Sequence, residues 1–168
     1  EGVLDEEERS MVSGIMRLSE MQASDVMTPR VDMVGLDLDE TPAMQLERAR
    51  ATRYHHLPVF RHTPDAIEGF LDVTRYLLDP AHDIRRAVTP ALFVPETAAL
   101  DDLLITLQRS RRHIVCVLDE YGGTAGLVSR GDILEIVTGE IPRGASQEAP
   151  EIQALDERRV APTGVRGV

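Results

Sequence analysis

AGLVSRGDIL, residues 125–134, begins as an extended run and turns into an apolar helical pattern after Ser129. Ser129 and Asp132 stand three residues apart just before Ile133-Leu134, the spacing of a helix capping box. The same layout occurs earlier in the chain. In EGFLDVTRYL, residues 68–77, Gly69 precedes Gly126 by 57 residues, and a helical run again follows a strand-like one. The match extends outward. MTPRVDMVG (27–35) parallels VTPALFVPE (88–96), with Thr89-Pro90 standing 61 residues after Thr28-Pro29. HHLPVF (55–60) is a strand whose counterpart is HIVCVL (113–118). Both copies read strand, helix, strand, strand, helix over roughly 55 residues, and such a repeat decides the architecture before any single motif does. Units this small seldom bury a core alone. The expected fold is therefore α/β (α+β), with two β-α-β-β-α units packed about a pseudo-two-fold axis.

An amphipathic helix over 5–20 precedes the pair. Asp5 caps it, the acids at 6–8 suit the positive end of its dipole, and Leu4, Met11, Ile15 and Leu18 recur at helical spacing. Thr41-Pro42 starts a helix as N-cap and first-turn proline, with Met44 and Leu46 opening its apolar side. Thr97 is expected to cap the helix whose Leu100, Leu103, Leu104 and Leu107 form an i, i+3, i+4, i+7 stripe. HTPDA and DEYGGT are turns, the second with glycines expected at positive φ. Tyr121, at its tip, is expected to anchor an interface. After Ile141 the composition becomes that of a linker, and residues 151–168 read as the first strands of a further domain. A chain running from Glu1 to Val168 is expected to be a piece of a longer protein.

The chain has 168 residues, of which 42% are hydrophobic and only 4% aromatic, so its core must be aliphatic. Its net charge of −11 makes it a poor general binder of nucleic acid or anionic membrane. No stretch approaches the roughly 20 apolar residues of a membrane-spanning helix. The one cysteine, Cys116, lies in an apolar run and reads as a buried, inert thiol suited to a reducing compartment.

The repeat, with its Gly-x-x-Ser-x-x-Asp junction in the second copy, resembles a tandem pair of CBS domains, a Bateman module. GVLDEEERSM, VMTPRVDMVGLDLDE, ALFVPET and VLDEYGGTAGLVSRGDILEIVTGEI resemble the cytosolic part of the CorC/HlyC family of magnesium and cobalt efflux proteins, some of which are called hemolysins. The resemblance covers residues 1–142 and implies a division into an N-terminal helix (1–22), CBS domain 1 (23–80), CBS domain 2 (81–142), a linker (143–150) and the start of a C-terminal domain (151–168). It also implies a regulatory module at the cytoplasmic face of the inner or plasma membrane. Such a module would be a homodimer through the CBS pair, joined to a membrane domain. It would bind an adenine nucleotide, AMP or ATP with or without Mg²⁺, between the repeats to control transport.

Ser129 and Asp132 read both as a cap and as a ribose site. A carboxylate offers two acceptors to a vicinal diol and no competing donor, and the adjacent helix N-terminus suits phosphate. The family pattern places Thr28 and Met33 at the edge of the adenine. Main-chain groups around Leu57 and Val59 would meet its polar rim, with Pro58 fixing the chain between them. Basic residues cluster at two equivalent helix ends. Arg53, His55 and His113 are candidate phosphate ligands, as is Arg30. The others, Arg48, Arg50, Arg109, Arg111 and Arg112, read as readily as dipole complementation. In the first repeat Asp72 replaces Ser129 and Arg75 replaces Asp132. Arg75 has no acceptor and Asp72 would bring negative charge near the phosphates, so this second site is expected to be empty or to bind something else.

No spacing of histidines or cysteines suits a structural metal site. Asp37, Asp39 and Glu40 read as a solvated turn, and any Mg²⁺ is expected on nucleotide phosphates. P-loop, G-x-G-x-x-G and G-x-S-x-G motifs are absent, so the chain is read as a binding module rather than an enzyme. Two alternatives remain: a dimerisation scaffold without nucleotide, and a direct sensor of divalent cations.

Overall fold

The computed structural model describes residues 5–139. The linker and further domain expected beyond residue 142 lie outside them. In chain order the elements are α1 (Glu6–Leu18), α2 (Ala23–Val26), β1 (Thr28–Pro29), a 3₁₀ turn (Arg30–Asp32), β2 (Leu36–Asp37), α3 (Pro42–Ala51), β3 (His56–Phe60), β4 (Ile67–Asp72) and α4 (Val73–Leu78). Then follow α5 (Ile84–Ala87), β5 (Val88–Pro90), β6 (Phe93–Pro95), α6 (Leu100–Ser110), β7 (Ile114–Leu118), β8 (Thr124–Ser129) and α7 (Arg130–Val137).

Two four-stranded sheets result, ordered β2-β3-β4-β5 and β1-β8-β7-β6. The opening strand of each repeat has crossed into the other repeat's sheet. β1 runs antiparallel to β8, with Thr28 opposite Leu127, and β5 runs antiparallel to β4, with Thr89 opposite Phe70. The two pairings are the same pairing under the repeat. Gly126 and Gly69 make them possible. A Cβ on Gly126 would run into the Thr28 carbonyl, and one on Gly69 into the Thr89 carbonyl.

Side-chain alternation along the strands sorts the apolar residues into three cores. Val115, Val117 and Val128 face the second repeat's helices with Leu100, Leu103, Leu107, Ile133 and Ile136. Leu57, Val59 and Leu71 face the first repeat's helices with Ala49 and Tyr76. The intervening residues Phe70, Ile114, Cys116 and Leu127 meet between the sheets as a seam. Cys116 is fully buried there, and burial pushes its thiol up to about 11, only partly offset by Thr124 Oγ1 at 3.9 Å.

Local signals hold at most helix starts. Asp5 and Glu8 exchange the two bonds of a capping box, at 2.8 and 3.1 Å. α1 then lies against α7 through the buried Gly14 and Leu18, and an Arg17 guanidinium nitrogen donates to the Ile136 carbonyl at 2.9 Å. Met11 and Ile15 are exposed instead of core-facing, because only the Gly14 side approaches α7 closely.

Thr97 does not cap α6. The helix starts at Leu100 with Ala99 as N-cap, since Ala98 and Glu96 carbonyls accept from Ala23 and Ser24 and the Leu100 amide donates to Met21. Docking of the α1–α2 segment overrides the local capping signal. On α3 the buried residues are Gln45 and Ala49, whereas Met44 is exposed. Gln45 Nε2 donates to the carbonyls of Asp37, Leu38 and Glu40, tying the helix to the preceding turn. In DEYGGT only Gly122 has positive φ, while Asp119 Oδ1 accepts from the Tyr121 and Gly123 amides. Tyr121 is 88% exposed.

Candidate functional site

β8 carries Ser129 to the start of α7. Ser129 Oγ accepts from the Asp132 amide at 3.1 Å, and Asp132 Oδ2 accepts from the Ser129 amide at 2.8 Å. The capping reading of this pair is therefore correct. The junction is closed, with Asp132 only 1% exposed. Beside it lies β1, whose Thr28 is 2% exposed. Thr28 Oγ1, Arg30 Nε and His55 Nε2 are buried without a hydrogen-bond partner. An unsatisfied buried polar atom costs about 1–3 kcal/mol, so such a set needs an explanation.

The equivalent junction in the first repeat is open. Asp72 Oδ1 accepts from the Arg75 amide at 3.1 Å, but the Arg75 side chain has no acceptor with which to return the bond. A cavity of about 190 Å³ lies there, lined among others by Asp72, Arg75, Thr89, Arg111, Arg112 and His113. His56 also lines it and stacks on His113, with ring centroids 5.1 Å apart and planes 22° apart. By strand register His113 corresponds to His55 and His56 to Ile114, so the stack joins one histidine from each repeat without being symmetric. Burial, then the neighbouring His113, holds His56 down to about 4, with Asp72 opposing. It is neutral at neutral pH.

Residues 81–139 match the CBS domain family. The magnesium and cobalt efflux protein CorC of Vibrio cholerae is 36% identical over 148 residues, covering 83% of this chain and 50% of that protein. A solved CBS domain of the bacterial CNNM/CorC family Mg²⁺ transporter in complex with ATP superposes with a TM-score of 0.72 at 35% identity, covering 80% of this chain and 99% of that one. The chain belongs to the CNNM/CorC family. A CBS-domain pair with bound AMP from Klebsiella pneumoniae also matches, at 28% identity and a TM-score of 0.63, over 71% of this chain and 99% of that one. The CNNM/CorC chain spans between 38% and 55% of the length of the curated relatives it matches.

In this CNNM/CorC module the expected site residues fall into three groups. Ser129, Asp132 and Thr28 lie together at the second junction. Leu57 and Val59 point into the first repeat's core, so only their main chain is available; β2 is registered with Val59 and Phe60 and stops short of Leu57. Pro58 is buried opposite Phe70, and Met33 packs against the seam.

The basic residues divide. An Arg30 terminal nitrogen is ion-paired with Asp65 at 2.8 Å. Arg48 is held by Glu40 at 2.7 Å. Arg53 and His113 are exposed, and His55 is half-buried. The acids of the turn are engaged as well. Asp37 Oδ1 accepts from the Asp39 and His62 amides, and Asp39 pairs with Arg61 at 3.0 Å.

One residue escaped the sequence reading. Thr89 of the open cavity corresponds to Thr28, and by strand register its Arg111, Arg112 and Ile114 correspond to Arg53, Tyr54 and His56. Tyr54 thus belongs with the second site. The pairing of HHLPVF with HIVCVL already present in the sequence would have found it, since it sets Tyr54 against Arg112.

Proposed function

We propose that this CNNM/CorC module binds an adenine nucleotide at the Ser129–Asp132 junction and that occupancy regulates the membrane domain of the full-length protein. The observation that carries the reading is the orphaned polar set: Thr28 Oγ1, Arg30 Nε and His55 Nε2 on the segments flanking a capped carboxylate. Related solved modules hold ATP and AMP, which supports the same ligand class.

In this reading Asp132 accepts from the ribose hydroxyls while Ser129 holds the carboxylate in place. Thr28 and Met33 border the adenine, and the main chain from Leu57 through Pro58 to Val59 meets its polar edge. Arg30, Arg53, His55 and His113 serve the phosphates, and Mg²⁺ enters as a phosphate-bound ion that keeps its waters. Because Asp132 is 1% exposed, the ligand displaces part of the lining as it enters. Binding then changes the angle between repeats, and a coupling of about 1–3 kcal/mol suffices for a switch. The module acts as a homodimer at the cytoplasmic face of the membrane, in a protein that exports magnesium or cobalt. Among the described residues no helix is long and apolar enough to cross a membrane, so the spanning part is assigned to the remainder of the protein.

The completed cap and closed junction favour one other reading, an assembly scaffold with no nucleotide. Calorimetric titration with AMP, ADP and ATP, with and without Mg²⁺, separates the two. The nucleotide reading expects saturable binding to the wild-type chain and at least tenfold weaker binding to Asp132→Ala, with both proteins folded by circular dichroism. Absence of binding, or equal binding by the two proteins, leaves only the scaffold.

A further inference from the structure

The open cavity at the first junction combines three features that the nucleotide reading does not use. It is small, at about 190 Å³, below the roughly 300 Å³ at which sites for drug-sized ligands begin. It is basic in an acidic chain: Arg75, Arg111 and Arg112 surround it against the single carboxylate of Asp72. And among the described residues none of these three arginines is in an ion pair, although most other arginines near a carboxylate are.

Dipole complementation accounts for part of this arrangement. Arg111 and Arg112 follow the C-terminal end of α6, where a cation is favoured. It says little of Arg75, which in the six-residue α4 belongs to the first and the last turn alike. Arg111, at φ 55°, is the left-handed C-cap that ends α6, its amide donating to the Gln108 and Leu107 carbonyls. Arg112 is fixed by donating to the Pro90 carbonyl on β5. Three cationic forks from two segments, Arg75 on α4 and Arg111-Arg112 after α6, therefore line one small space.

We propose that this cavity is a second, sugar-free anion site that holds a phosphate-class dianion through the guanidinium groups of Arg75, Arg111 and Arg112. The planar guanidinium matches phosphoryl oxygens with paired hydrogen bonds. A nucleoside is disfavoured because Arg75 replaces the carboxylate that a ribose diol requires. The exposed Thr89 hydroxyl at the rim supplies a further donor. The phosphoryl group has two possible sources, inorganic pyrophosphate or phosphate on one hand and the tail of a nucleotide on the other. The site is independent of the Ser129–Asp132 reading and stands or falls separately.

The test is calorimetric titration of the whole chain with inorganic pyrophosphate, and separately with ATP and adenosine, at ionic strength held constant with sodium chloride. Saturable pyrophosphate binding is expected, weakened at least tenfold by Arg75→Ala and by Arg111→Ala and unchanged by Asp132→Ala. Adenosine is expected not to compete. Both arginines are exposed, so the variants should melt as the wild type does. If ATP binding also weakens in the arginine variants, the nucleotide tail is a source; if only pyrophosphate binding weakens, the free anion is. Pyrophosphate binding no stronger than that of chloride overturns the proposal, as does wild-type affinity in both arginine variants.

Discussion

The Ser129–Asp132 and Asp72–Arg75 junctions descend from one repeat and have the same strand, turn and helix, yet one is shut and the other is a cavity. At the second junction a hydroxyl and a carboxylate close a reciprocal cap, and Asp132 disappears from solvent. At the first, the carboxylate has moved to the capping position and the residue three further on is an arginine, which can only donate. Half the cap is lost, and the exposed Arg75 lines a space that opens beside Arg111 and Arg112. A difference of two side chains thus exchanges a junction closed on a buried carboxylate for an open one lined by arginines, on an otherwise shared backbone.

The comparison can be broken most forcefully at the strand exchange that underlies both junctions. Gly126→Ala should cost about 3 kcal/mol, since the new methyl collides with backbone of the crossing strand and not with a movable side chain. Gly69→Ala should cost about the same, and urea melts giving markedly unequal losses would show that the two crossings are not equivalent.

Asp132→Ala comes next, at about 2 kcal/mol. It leaves the buried Ser129 amide without its acceptor. A melting temperature equal to wild type would mean that the cap contributes nothing.

The His56–His113 stack between the junctions should make stability depend on pH. His56 is held at about 4 in the folded chain against 6.5 when unfolded, so the unfolded chain binds the proton first as pH falls. Stability should be flat above about pH 6.5 and fall between there and about pH 4, by about 1–2 kcal/mol. His113, His55 and Asp72 face the same ring, with Arg75, Arg111 and Arg112 around the cavity. His56→Phe keeps a ring for the stack and should flatten the slope; an unchanged slope would assign the titration to another group.

The smallest effect is expected at Arg75→Ala, within about 0.5 kcal/mol, because the side chain is exposed and unpaired among the described residues. A larger loss would mean that Arg75 supports the fold and not only the cavity.

Much of this was readable in one dimension. A 57-residue offset, paired Thr-Pro steps, a leucine stripe and a Ser-x-x-Asp spacing are local or periodic signals, and local hydrogen bonds and side-chain alternation fix them wherever the chain folds. The sequence by itself determined two units, most of their helix caps and the chemical inequality of their junctions, because Arg cannot accept a hydrogen bond in any environment.

Tertiary structure alone decided which sheet each two- or three-residue opening strand joins, since segments so short carry no register of their own. It also moved the α6 cap from Thr97 to Ala99, buried Gln45 in place of Met44, and chose which junction stayed open. Each of those outcomes depends on contacts between residues far apart in the chain, where packing outweighs the tenths of a kilocalorie that local preference supplies.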